Sequence, residues 1–464
     1  MKHTPTIRAE LDRYLQQEGL SMTEFGHIAG MNRGAVSAIV SGNKSMSINQ
    51  LDLITEAMGL PEGHFYDLFI ENFIIDHPPN MRRIEPFLFR CAELGKLDAI
   101  RRVVGAIMDN LLYSPKLFEI AEGLLAQGRL EAAFILYEGV AEAERYQHSE
   151  RLAVCQYRIF TIQVGEDQSR NLEAATLLEP FVERLDEMEQ LDALKDLANV
   201  YRSLRKWDKV AELARKMRAK AEIQYSMKHQ QQSRMCDESS KKLNRPLFVY
   251  IAYADLLCSG SCEAKGDYHQ ALQYTYAYAS LDWVLEKDED TQHWMGLFQN
   301  WAEGNTYVYK LLSGEISVLN DYVQYIIASS DKVDKEMIVK LLNCMFAANR
   351  FQLDVNDILK RFEMIIDSFV QQPSSDMYTY QVVPEQTTRF KYELAKYYLN
   401  RGNYSYGFKY LLDVLSKSLS NNKESFFIRC IRLFEEFKQF ADVRTFIKYE
   451  SLISVGQREK LFYY

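Results

Sequence analysis

Apolar residues recur at i, i+3, i+4 and i+7 along nearly the whole 464-residue chain, and the alternation that marks a half-buried strand is almost absent. Glycine and proline are scarce. Pro61, the Pro78-Pro79 pair, Pro115, Pro246 and Pro373 stand where a helix should begin or a connection should run. The expected fold class is therefore all-α. No uninterrupted apolar run approaches the roughly 20 residues needed to cross a bilayer, and the start MKHTPTIRAELDRYL carries charges where a secretory signal needs its apolar stretch. A cytoplasmic protein with no membrane partner is the expectation. Seven scattered cysteines fit reduced thiols better than a disulfide framework.

The Pro78-Pro79 pair closes a first segment, 1–75, of a size that suits one small helical domain; the remainder, 76–464, reads as a second. From about residue 84 onward helical pairs share an internal pattern. The clearest copies are LFEIAEGLLAQGRLEAAFILYEGV (117–140), ALKDLANVYRSLRKWDKVAELARKM (193–217), EAKGDYHQALQYTYAYA (263–279) and YELAKYYLNRGNYSYGFKYLLDVL (392–415). In each, a helix ends in a short polar turn, an aromatic residue or Leu follows, and a small or aliphatic residue comes three positions later. The sets are Gly128/Leu130/Ala133, Arg205/Trp207/Val210, Gly266/Tyr268/Ala271 and Gly402/Tyr404/Gly407. This resembles the tetratricopeptide pattern, in which the small residue lets two helices approach and the aromatic fills the gap between them. Weaker copies lie near 151–186, 294–327, 335–370 and 424–449, so the resemblance implies an α-α superhelix of degenerate repeats. Two polar stretches, 227–246 and 371–388, read as long connections, the first partly a helix extension.

Within the first segment the periodicity predicts five short helices at about 6–18, 22–29, 33–41, 48–58 and 62–73. Ser21, Asn32 and Ser47 are placed as N-caps, and Phe25, Ala29, Val36, Ile39, Leu51, Ile54 and Met58 form the shared core. Gly30 falls at the tight turn between the second and third helices. The stretch SMTEFGHIAGMNRGAVSAIVSGNKSMSINQLDLITEAMGL resembles the helix-turn-helix of the Cro and phage-repressor type, the XRE family. That resemblance implies a double-stranded DNA operator as partner, with the helix 33–41 in the major groove. Asn32, Arg33, Gly34 and Ser37 would then face base edges, Arg33 being the side chain able to grip guanine through two hydrogen bonds, and Ser21, Thr23, Asn43 and Lys44 would touch phosphates.

Charge limits this contact to a small area. The whole chain is acidic, with a net charge of −9, which excludes a protein that coats nucleic acid along its length. Up to residue 75 the five bases Lys2, Arg8, Arg13, Arg33 and Lys44 meet nine acids, of which Asp52, Glu56, Glu62, Asp67 and Glu71 fall on the fourth and fifth helices, away from the expected DNA face.

No enzyme is expected: there is no P-loop, GxSxG or HExxH, and no strand-loop-helix to mount one. Cys258 and Cys262, four apart on a helix, could be half a metal site, but no second pair or nearby His accompanies them in the sequence, so neither metal nor other cofactor is expected. The many tyrosines read chiefly as packing between helices.

A superhelix of helical pairs turns its first helices inward and presents a surface suited to an extended peptide. Taking Leu197, Ala198 and Tyr201 as core turns Lys195, Asn199 and Arg202 inward; taking Leu394, Ala395 and Tyr398 as core does the same for Arg389, Tyr392, Lys396 and Asn400. Amides can pair with a peptide backbone, and cations can hold a carboxylate terminus. An XRE helix-turn-helix followed by such an array is similar to the intracellular peptide-pheromone receptors of Gram-positive bacteria and their phages, the RRNPP group, of which the arbitrium receptors are one branch. The resemblance implies a transcriptional regulator of the quorum-sensing type, a homodimer controlled by a short signalling peptide. It also implies that Asn199 and Asn400 clamp the peptide backbone. The chain's apolar-aromatic end, Leu461 to Tyr464, points to the C-terminal helices for the dimer contact. Two other readings stay open: a scaffold for a protein partner with a tethering helix-turn-helix, and a small-metabolite sensor. A groove closed around a small ligand would favour a receptor, and an open superhelix the scaffold.

Overall fold

The computed structural model describes residues 6–41, 46–75, 79–147, 149–230, 243–328, 337–368, 377–420 and 424–461. These residues are helical, and no strand occurs among them. They cluster into two compact units, Met1–Val164 with Glu173–Asp186, and Gly165–Leu172 with Glu187–Tyr464.

The first ten helices are α1 (Ile7–Glu18), α2 (Met22–Ile28), α3 (Arg33–Val40), α4 (Ile48–Ala57), α5 (Tyr66–Ile70), α6 (Met81–Glu93), α7 (Leu97–Ile107), α8 (Ser114–Ala126), α9 (Leu130–Ala143) and α10 (Glu150–Gln163). α11 (Gln168–Leu178) leads to α12 (Glu187–Ser203), α13 (Trp207–Gln230), α14 (Leu247–Lys265), α15 (Tyr268–Ala279), α16 (Glu289–Ser313) and α17 (Leu319–Ala328). α18 (Met337–Phe351), α19 (Asn356–Arg361), α20 (Glu363–Ser368), α21 (Met377–Asn400), α22 (Tyr404–Ser420), α23 (Glu424–Phe437) and α24 (Val443–Leu461) follow.

The first four helices start where their caps stand. Ser21 Oγ accepts from Glu24 N, and the Glu24 carboxylate reaches back to Ser21 N at 2.8 Å; Ser47 and Gln50 repeat that reciprocal arrangement for α4. Asn32 Oδ1 accepts from Ala35 N at 2.7 Å and opens α3. Phe25, Ala29, Val36, Ile39, Leu51 and Ile54 are buried, and Met58 packs against them half-buried. Gly30, at φ +65°, makes the reversal between α2 and α3. α5 is shorter than its periodicity suggests: from Glu71 to Ile75 the chain widens into a π-helical turn. The core is continuous from Ile7 through Phe69 and Phe87 to Cys155, so α1–α5 share one apolar interior with α6–α10.

A single backbone device joins the members of the helical pairs. Gly95, Gly128, Arg205, Gly266 and Gly402 each take a left-handed conformation, φ +58° to +78°. The next residue's N–H then donates to the carbonyl five positions back, Lys96 to Cys91, Arg129 to Leu124, Lys206 to Tyr201, Asp267 to Cys262 and Asn403 to Tyr398, at 2.8 to 3.0 Å. The following helix begins one residue later, at Leu97, Leu130, Trp207, Tyr268 and Tyr404. Three positions on, Ile100, Ala133, Val210, Ala271 and Gly407 are buried where the two helices cross. At Gly407 a Cβ would stand 2.6 Å from the Leu399 side chain, which is why the last pair needs the smallest residue there.

In the second unit α12, α14, α16, α18 and α21 each touch the next, and α12 touches α21 again, so the row of first helices returns on itself. α14 is the one helix among the described residues long and apolar enough to cross a membrane, and 72% of that stretch is buried inside the unit. α21 corrects the reading of 371–388 as a connection: from Met377 onward the chain is helical. The start of this helix, with its polar residues and Pro384, shows no clear helical period in the sequence; the helix as a whole packs on α22, α18 and α12.

Gly26 and Gly105 are helical glycines in opposite situations. A Cβ at Gly26 would meet the Met31 carbonyl oxygen at 2.7 Å, where the turn folds back on α2; at Gly105, in α7, nothing lies within 4 Å. Gly26→Ala should lower the unfolding free energy by about 1 to 3 kcal/mol through overpacking against backbone. Gly105→Ala should raise it by about 1 kcal/mol through helix propensity. Urea unfolding of the two variants, monitored by circular dichroism, checks both signs.

Candidate functional site

On the first unit, the surface formed by α2, its turn and α3 carries Ser21, Thr23, Asn32, Arg33 and Gly34, all exposed, and Ser37, half-buried. Ser21 and Asn32 spend their side-chain oxygens on capping. Arg33, in the first turn of α3, forms no ion pair among the described residues, unlike Arg13, which pairs with Glu10 at 3.0 Å. Asn43 and Lys44 lie outside the described residues.

The acids of α4 and α5 have a use that the sequence did not disclose. Arg90 of α6 reaches Asp52 at 2.7 Å, Glu62 at 3.0 Å and Glu93 at 2.9 Å, and Tyr66 donates to the same Asp52 at 3.0 Å. Arg102 of α7 pairs with Asp67 and, at 3.2 Å, with Glu71. Four of the nine N-terminal acids are thus paired with arginines lying beyond residue 75. The balance counted along 1–75 therefore overstates how acidic this surface is.

In the second unit, α12 presents Lys195, Asn199 and Arg202 on one half-buried face. Lys195 contacts Asp192 at 3.2 Å and Asp196 at 3.3 Å. Burial pulls its amine down, but Asp196 and Asp192 more than offset that and hold it above the usual lysine range. Asp192 is itself buried and also accepts from Tyr250 at 2.6 Å and Asn244 at 2.9 Å. Asn199 accepts from the Tyr253 hydroxyl at 2.6 Å, which leaves its amide N–H groups as the donors available to a ligand.

α21 brings Glu385, Arg389 and Glu393 along one stripe, which Lys396 and Asn400 continue at helical spacing. Arg205, just past α12, pairs with Glu385 at 3.1 Å across the return contact. Arg389 lies 4.6 Å over the Phe346 ring of α18, and its buried Nε has no hydrogen-bond partner. Burial, and then the charge of Arg205, push its guanidinium below the ordinary arginine range. Glu393 accepts from Asn349 at 2.9 Å. Tyr392 is turned elsewhere, buried against Phe426 and under Arg429 of α23. Lys396 is half-buried and Asn400 is exposed at the end of its helix.

The sequence reading missed Glu263, in the last turn of α14. Burial raises its carboxyl above the usual range, and Arg202, Arg389 and Arg205 oppose that. Tyr309 of α16 donates to it at 3.3 Å. A long-range charge cluster of this kind has no sequence signal, because its members come from helices as far apart in the chain as α12 and α21. The described cysteines are free; all are buried except Cys262, which is half-buried, and Cys236 lies outside the described residues. No protein-family model matches the chain, and no curated protein matches it in sequence.

Asp192 is the hub of the α12 face. Asp192→Ala would leave the Tyr250 hydroxyl without its partner and Lys195 with only Asp196, and should lower the unfolding free energy by about 2 to 4 kcal/mol. Asp192→Asn, which keeps an acceptor for Tyr250, should cost less. Denaturant titration of both variants measures the difference.

Proposed function

We propose that the chain is a cytoplasmic transcriptional regulator of the peptide-pheromone receptor type. Residues 1–75 form an XRE-like helix-turn-helix that binds a DNA operator, and residues 76–464 form a tetratricopeptide-like array that binds a short signalling peptide and carries the dimer contact. The observation that carries this reading is the return of α12 onto α21, because a row of first helices that meets itself encloses its inner face, which suits a small ligand better than a large protein partner. Lys195, Asn199 and Arg202 from one side and Arg389, Lys396 and Asn400 from the other supply amide and cationic groups for a peptide.

On the DNA side the reading is supported by the capped α3 with an exposed, unpaired Arg33 at its start, and by the confinement of the neighbouring acids to Arg90 and Arg102. A base-reading arginine and phosphate contacts at Thr23 and Lys44 make a small footprint, so useful affinity needs two half-sites and hence two copies. Val443, Phe446 and Ile447 form an exposed apolar stripe at i, i+3 and i+4 of α24, 75%, 44% and 63% accessible, and Ile428 of α23 is 56% accessible. A second copy of the chain is the occupant that this stripe suits.

Arg33→Ala should weaken operator binding by about 1 to 3 kcal/mol and relax base preference, whereas Lys44→Ala should weaken all sequences alike and flatten the salt dependence. Gel-shift titrations against the operator and scrambled DNA separate the two; unchanged operator affinity in Arg33→Ala would defeat the base-reading role. For the dimer, Val443→Glu combined with Ile447→Glu places charges on exposed positions. It should convert a sedimenting dimer to monomer with the helical signal intact, and a variant that stays dimeric would move the contact elsewhere. Asn199→Ala should cost about 1 to 3 kcal/mol of peptide affinity in calorimetry, since the peptide group it served would be left unpaired.

A further inference from the structure

The geometry points to an oxyanion-binding site inside the second unit, formed by Arg202, Arg205 and Arg389, in which the carboxylate of Glu263 is the resident competitor. The inference deepens the reading of this unit as a ligand-binding body and rests on it.

Three observations converge. First, the charges of Arg202, Arg389 and Arg205 all act on Glu263, while the hydrogen bond it receives is from Tyr309, at 3.3 Å. Second, the site is deep and still wet. Burial is the largest influence on both Glu263 and Arg389, although each side chain keeps part of its surface in contact with solvent. Glu393 is engaged by Asn349, and Glu385 pairs with Arg205 of the cluster itself, while Arg389 Nε is left with no acceptor. A buried guanidinium with an unmet donor is unfavourable for folding and is explained by a ligand that meets it.

Third, the backbone carries a cost at Arg205. At Gly95, Gly128, Gly266 and Gly402 the left-handed position is held by glycine; Arg205, at φ +58°, and Gln352, at φ +55°, are the described residues that take it with a side chain. Glycine would relieve the strain; at Arg205 the side chain gives in exchange an ion pair to Glu385 at 3.1 Å, one turn from Arg389 on α21. Planar, forked guanidiniums suit the oxygens of a carboxylate or a phosphate. Both ligand chemistries fit: the terminal carboxylate of a peptide, and a free or esterified phosphate.

The test needs neither DNA nor the natural ligand. Thermal unfolding of the full chain is followed against increasing inorganic phosphate, N-acetyl-alanyl-alanine and the amide of the same dipeptide, with ionic strength held constant by sodium chloride. A bound anion raises the midpoint along a saturating curve. The expected result is saturation with phosphate, with the free acid, or with both, and none with the amide. Phosphate alone identifies a phosphate ligand, and the acid alone a carboxylate terminus. Arg389→Gln should raise the half-saturating concentration at least tenfold. Arg205→Gly, which suits the backbone and so keeps the fold, should do likewise, and Glu263→Gln should lower it severalfold by removing the competing charge. Midpoints that rise without saturation and equally in all variants would overturn the site, as would a Glu263→Gln protein that binds more weakly than the unaltered chain. DNA binding that ignores every peptide, with this titration intact, would sink the regulator reading and leave the anion site standing.

Discussion

A helix can be followed closely by an antiparallel neighbour only if its last carbonyls find donors within the reversal itself. In this chain the left-handed residue and the bond from the next N–H back to the fifth carbonyl meet that need at Gly95, Gly128, Arg205, Gly266 and Gly402. Everything larger depends on it. The reversal sets the start of the second helix to the residue, which in turn brings Ile100, Ala133, Val210, Ala271 and Gly407 to the crossing point. Because the crossing residue is small or aliphatic, paired helices lie close, and the first helices of successive pairs are left free to touch one another.

Packing helix on helix brings many aromatic rings inside, and the core accepts several of them by giving the hydroxyl a partner. Tyr137 donates to Glu122, Tyr250 to Asp192, Tyr309 to Glu263 and Tyr322 to the Lys340 carbonyl, while Tyr278 accepts from Asn305. A tyrosine used in this way fills space as phenylalanine does but also fixes direction, since its hydroxyl is satisfied in one arrangement only. The polar inner face of the second unit is an extension of the same habit: carboxylates that hold tyrosines on one side hold cations on the other, as Asp192 does for Tyr250 and Lys195.

Local features were legible in the sequence because their causes are local. Ser21, Asn32 and Ser47 cap the helices assigned to them, Gly30 makes its reversal, and the glycine-aromatic-small sets mark real helix junctions. What the sequence concealed came from distant partners. The start of the helix from Met377 shows no clear helical period, and the helix packs on α22, α18 and α12. Tyr392 was assigned inward by its place in a repeat but packs on Phe426 and Arg429 of a later helix. Glu263 reads as one more surface acid at a helix end; only its neighbours from α12, α16 and α21 give it a role.

The grip of Arg90 and Arg102 on the acids of α4 and α5 also has a mechanical side. Two arginines on α6 and α7, with Phe69 stacked on Phe87 between them, tie the five N-terminal helices to the next pair by charge and by apolar contact at once. A hinge at that seam would have to separate these ion pairs and open the core. The α2–α3 surface is consequently carried on one packed body with α6–α10 rather than as a bead on a string, and it moves only as that body moves.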